Sequence, residues 1–85
     1  MKTFTHIISD PVGLHARPAG LLAKKAKEFQ SDIVLEKEGR SADAKKLMAL
    51  MGLGVVKGDE VKVTITGLDE AQAYEVMMAH FQENL

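Results

Sequence analysis

The 85-residue sequence predicts a single α+β domain spanning residues 1–85, an antiparallel sheet with helices covering one face. Three observations carry this. Val61, Val63 and Ile65 alternate with Lys62, Thr64 and Thr66, the period of a strand with one buried and one wet face. Two stretches, Ala19 to Ala26 and Tyr74 to Phe81, repeat apolar residues at helical spacing. The remaining strand-like runs are too short, and their turns too tight, for a parallel doubly wound sheet.

The elements follow in order. Thr3 to Ser9 is rich in β-branched residues and reads as a first strand, ended by Asp10-Pro11. Pro18 holds φ near the helical value and has no N–H to leave unpaired, so it suits a first helical turn. Ala19, Leu22, Ala23 and Ala26 then form a buried face opposite Lys24, Lys25 and Lys27, until Phe29 and Ser31 close the segment. Ile33 to Leu35 make a second strand, Glu38-Gly39 a turn, and Arg40 to Asp43 a weaker return strand, together a hairpin. Lys45 to Met51, before Gly52 and Gly54, can form only a short helix. Val61 to Ile65 is the last strand. Asp69 followed by Gln72 resembles a helix-capping arrangement, and Tyr74, Met77, Met78 and Phe81 form the stripe of a packing helix.

Composition narrows the function. With 46% hydrophobic and 27% charged residues the chain is an ordinary globular one, and its net charge of −1 gives no general attraction to nucleic acid or to an anionic membrane. The absence of cysteine excludes disulfides and thiol chemistry and is compatible with a reducing cytosol. The N-terminus lacks the apolar run of a signal peptide, and no stretch approaches the ~20 residues of a membrane span, so a cytoplasmic location without membrane insertion is expected. His6, His15 and His80 lack metal-ligand spacing, and the few aromatic residues form no stacking pattern for RNA.

The most informative stretch is Gly13-Leu14-His15-Ala16-Arg17-Pro18-Ala19. It places an imidazole at a helix start, where free backbone N–H groups and the positive end of the helix dipole favour an anion, and adds the forked donors of Arg17. That positive end disfavours an imidazolium, so a ring with an unperturbed pKa of about 6.5 is expected to be neutral and nucleophilic. The expectation is a histidine that attacks phosphorus. The same residues could instead be a helix cap beside a solvated charge, and Gly13 could be a positive-φ turn or simply loop.

The short helix poses a second question. Leu47, Met48, Leu50 and Met51 cannot all face inward if Leu50 and one neighbour close the core, which leaves Leu47, Met48 or Met51 for an exposed patch suited to partners. All four could also lie buried beneath the glycine loop.

At these two motifs together the chain resembles the HPr family, the histidine-containing phosphocarriers of the bacterial sugar phosphotransferase system. The resemblance runs over essentially the whole length, and its second motif is Lys45 followed by Leu47 to Gly54. It implies an open-faced β-sandwich with a four-stranded antiparallel sheet and three helices. It also implies a carrier rather than a stand-alone enzyme, working as a monomer without cofactor or metal. Enzyme I, charged by phosphoenolpyruvate, would pass phosphate to Nδ1 of His15, and His15 to a histidine of an enzyme IIA component. Arg17, with Ala16 and Pro18, would hold the phosphate, and Gly20, Leu47, Met48 and Met51 would meet the partners. Two departures stand out. Lys46 occupies the place of the family's regulatory serine, putting in doubt phosphorylation there and the repression role built on it, and Gly20 replaces a residue that is often larger. A paralogue serving a nitrogen-related phosphotransfer chain is the nearest alternative, and a small RNA- or metal-binding module the more distant one.

Overall fold

The computed structural model describes residues 1–85. Its elements are β1 (Lys2–Ile7), α1 (Ala16–Ala26), β2 (Asp32–Lys37), β3 (Arg40–Asp43), α2 (Leu47–Gly52), β4 (Glu60–Thr66) and α3 (Glu70–Asn84). The strands form one antiparallel sheet in the order β1-β4-β2-β3. This is the expected open-faced sandwich of four strands and three helices.

The alternation in β4 sets the layers. Val61, Val63 and Ile65 are fully buried, whereas Lys62 and Thr66 face solvent. Phe4, Val63, Leu35 and Ala42 are successive cross-strand partners, so one inward row runs across all four strands. The helices cover that row, with α3 packed on β1 and β4, α2 beside β3, and α1 touching both other helices. Ala19, Ala23 and Ala26 are buried on α1, and their small side chains let it lie close to its neighbours. On α3 the buried stripe is Ala73, Met77 and Phe81, one residue every four. Tyr74 and Met78 flank it half-buried, and Tyr74 meets Phe4 edge-on at 5.7 Å. Lys37 and Arg40 pair across the two-residue hairpin, whose Glu38 and Gly39 both have positive φ, the turn that matches strand twist.

The end of β1 and the cap of α3 differ from the sequence reading. The first strand ends at Ile7 and not at Ser9, because the Ile8 amide donates to the Asp59 carbonyl and the Ser9 and Asp10 amides to the backbone oxygen of Leu85. These bonds turn the chain off the sheet and bury Ile8 in the core. The capping arrangement at α3 is also different. Asp69 is the N-cap residue, but its carboxylate accepts from the Gln30 amide at 2.9 Å, the Ser31 amide at 2.9 Å and the Ser31 hydroxyl. A buried hydroxyl 38 residues away in sequence outcompetes the helix's own amides, since leaving it unpaired would cost more than leaving exposed amides to water.

The Ser31 hydroxyl, then the Gln30 amide, hold the Asp69 carboxyl below its ordinary value. A lowered folded-state pKa means the stabilisation is complete above the unfolded value of about 3.9 and disappears as pH falls through the folded one. Wild type should therefore be more heat-stable than Asp69→Asn at neutral pH, and the difference should shrink below about pH 4. Circular-dichroism melts across this range check it, and a pH-independent difference would contradict it.

Candidate functional site

The loop between β1 and α1 is shaped by its own polar groups. The Asp10 carboxylate accepts from the Val12 amide at 2.9 Å, and the Asp10 carbonyl from the Gly13 amide at 3.1 Å. Gly13 has φ of 77°, and a Cβ there would stand 2.4 Å from the Val55 carbonyl oxygen and 2.7 Å from the Val56 Cα. Gly13 is thus a positive-φ turn in backbone-to-backbone contact, the first of the two readings its sequence left open. Leu14 follows, its side chain buried and its amide donating to the same Val55 carbonyl at 3.0 Å. The chain leaves this contact extended and enters α1 at His15, the N-cap residue with φ −90° and ψ −170°.

His15 is exposed and its side chain makes no capping bond. Its carbonyl accepts from Ala19, the first helical bond, so the Ala16 and Arg17 amides have no backbone acceptor, and Pro18 has no amide hydrogen to offer. No acidic residue stands in the first turn of α1, and the Arg17 guanidinium is exposed without an ion-pair partner. An imidazole, two unpaired amides, a free guanidinium and an unneutralised helix dipole therefore meet at one point. His15 and Arg17 border a shallow depression of about 350 Å³, completed by Asp10, Val12, Pro18, Leu21 and Asn84. The other histidines are partly buried: His6 lies edge-on to Phe81 at 5.5 Å, and burial, then Lys25, lowers the pKa of His80.

Four of these liners were not anticipated. Leu21 and Val12 are exposed apolar residues, and Leu21 could have been noticed as the one large apolar side chain outside the stripe Ala19, Leu22, Ala23 and Ala26. Asp10 and Asn84 carry no such signal. They come together only because the Ser9 and Asp10 amides bind the backbone oxygen of Leu85.

The second apolar surface is resolved in favour of exposure. Leu50 is fully buried with Ala49 packed partly against the core, whereas Met48 is 77% exposed and Leu47 and Met51 38% each. Lys46 is the exposed N-cap residue of α2. Gly20 is half-buried on α1, and a Cβ there would meet nothing within 4 Å. No cluster of three or more potential ligands could hold a metal ion, and no helix is long and apolar enough to cross a membrane.

A family model described as the PTS HPr component phosphorylation site matches residues 2–83. The phosphocarrier protein HPr of Mycoplasma genitalium is 38% identical over 99% of this chain and 97% of its own. A crystal structure of HPr from Thermoanaerobacter tengcongensis superposes with a TM-score of 0.93 at 38% identity, covering 99% of this chain and 94% of that one. The HPr-like protein Crh of Bacillus subtilis is 45% identical over 86% of each chain. Its crystal structure matches 88% of this chain and 86% of that one with a TM-score of 0.78 and is described as a swapped dimer.

The two glycines should respond oppositely to alanine. Gly13→Ala meets both the positive-φ penalty and the Val55 backbone, and should cost at least about 2 kcal/mol. Gly20→Ala fills open space on a helix and should stabilise by about 0.5–1 kcal/mol. Urea denaturation midpoints check both, and equal effects would contradict the geometry.

Proposed function

We propose that this chain, which belongs to the HPr family of phosphocarriers of the phosphotransferase system, accepts a phosphoryl group on His15 from phosphorylated enzyme I and gives it to an enzyme IIA component. The transfer would serve coupled uptake and phosphorylation of a sugar. What carries this reading is the exposed, unbonded imidazole of His15 beside the unpaired Ala16 and Arg17 amides and the free Arg17 guanidinium.

In the first step the Nδ1 lone pair of His15 attacks phosphorus in line with the P–N bond of the donor phosphohistidine. That bond breaks as the new one forms, and its electron pair stays on the leaving imidazole. The second step repeats this with His15 as the leaving group. Little covalent work is needed, so positioning and charge stabilisation dominate. The two amides and Arg17 supply donors to the three phosphoryl oxygens, and buried Pro18 fixes the first turn that presents them. The two amides are held by the helix before the phosphate arrives and need no reorganisation at the moment of transfer, whereas the free Arg17 side chain closes on the phosphoryl oxygens from solvent. The chain is modified and restored in each cycle and is a carrier rather than a catalyst.

Leu47, Met48 and Met51 form the surface on which enzyme I and enzyme IIA settle in turn, and flexible methionines suit a face that meets more than one partner. Open space at Gly20 extends contact less than a larger residue would. Lys46 has no hydroxyl to phosphorylate, so this protein lacks a serine switch at the start of α2. That difference also suits a regulatory phosphotransfer chain, and which enzyme IIA accepts the phosphate separates the two. We assign the working unit as a monomer located in the cytoplasm. Light scattering should give the 9.3 kDa mass of one chain, and twice that mass would place it with the dimeric relative.

Incubation with phosphoenolpyruvate, Mg²⁺ and a bacterial enzyme I should add one acid-labile phosphate, read by intact mass, that His15→Ala lacks while keeping its fold. Phosphate uptake by His15→Ala would sink the assignment. Arg17→Ala should still be modified but transfer on the order of tenfold more slowly, and an unchanged rate would remove Arg17 from the mechanism.

A further inference from the structure

Lys37, the last residue of β2, lies on none of the surfaces described above, yet its side chain is only 15% exposed. Its Nζ is 2.7 Å from the Asp59 carboxylate and donates to the Gly54 carbonyl at 2.7 Å. The same Asp59 oxygen accepts from the Val56 amide at 2.9 Å. One ammonium group therefore closes the segment from Gly54 to Asp59 at both ends.

That segment is the wall behind the site. Val55 presents its carbonyl to the Leu14 amide, and Val55 and Val56 form the surface against which Gly13 packs without a side chain. The far end of the site loop is held by the same segment, since Ile8 donates to the Asp59 carbonyl at 2.9 Å and accepts from the Gly58 amide at 2.8 Å. An exposed ion pair contributes little, because water competes for both charges. Here Asp59 is only 22% exposed and the ammonium has two fixed acceptors, so the cross-link is worth more than that.

From this geometry we infer that the Lys37–Asp59 pair positions His15, by fixing the Val55–Val56 wall that holds Gly13 and Leu14 directly before it. Lys37 touches neither the phosphate nor a partner. It acts through the loop, and the inference rests on the carrier reading for the transfer it supports. When the pair is broken the wall loosens, Leu14 loses its acceptor part of the time, and the imidazole and α1 amides fall out of common alignment.

The test compares Lys37→Met, which keeps the apolar stem, with Lys37→Arg, which restores the charge and the donors. Hydrogen exchange of the Leu14 amide should be about tenfold faster in Lys37→Met while that of Val63 in β4 is unchanged. Transfer from phosphorylated enzyme I should show kcat reduced about three- to tenfold with KM within about twofold, and Lys37→Arg should recover both readouts. Unchanged Leu14 exchange overturns the inference. So does acceleration of Leu14 and Val63 together, which would make the pair a general stabiliser, and so does faster Leu14 exchange with unaltered transfer. A wild-type chain that takes no phosphate would instead bring down the carrier reading itself, a result independent of what Leu14 exchange shows.

Discussion

His15 stands where it does because the backbone of Gly13 lies against Val55 and Val56 with no room for a side chain between them. The path of the chain into α1 follows from that contact. It sets the height of the Leu14 amide on the Val55 carbonyl, sends Leu14 into the core, and leaves the next residue to start α1 in an extended conformation. A histidine at that junction can only project outward. The sheet beneath contributes indirectly: β1 delivers the site loop and its neighbour β4 begins where the supporting segment ends, so the two loops leave adjacent strands on the same edge of the fold.

Charge is arranged to favour an anion at that junction. The first turn of α1 has no carboxylate to compensate its dipole, while Lys24 and Lys25 in the last turn lie at the end where cations are favourable. Asp10 borders the depression, but one of its carboxylate oxygens is engaged by the Val12 amide. An uncompensated helix start costs some stability in the free chain, and occupation by a phosphoryl group would recover it. A helix start of this kind is better matched to a bound anion than to an empty site, which supports the proposed carrier role.

Much of this was legible in the sequence. The strand alternation of residues 61–66, the alanine-lined face of α1 and the hairpin at Glu38-Gly39 each depend on local period and turn chemistry, and each stands in the fold as read. The site motif was legible for the same reason: His15, Arg17 and Pro18 lie within a single turn, so their proximity does not depend on the rest of the chain. What escaped was nonlocal. Asp69 was expected to cap its own helix, but a buried Ser31, distant in sequence and brought beside it where the start of β2 pairs with the end of β4, claims its carboxylate. The join of Asp10 and Asn84 at the depression, and of Lys37 with Asp59 behind it, exists only once strands distant in sequence have paired. The exposure of Leu47, Met48 and Met51 could be narrowed from sequence but not decided, since it depends on how α2 sits over the core.

The proposed function rests on a phosphoryl group carried by His15 and held by the start of α1. Nuclear magnetic resonance of the ¹⁵N-labelled chain after phosphorylation reads this directly. A ³¹P–¹⁵N coupling to Nδ1 of His15, together with downfield movement of the Ala16 and Arg17 amide protons, is the expected result. Coupling to a ring nitrogen of His6 or His80, or a phosphorylated His15 that leaves both amides unmoved, would contradict it.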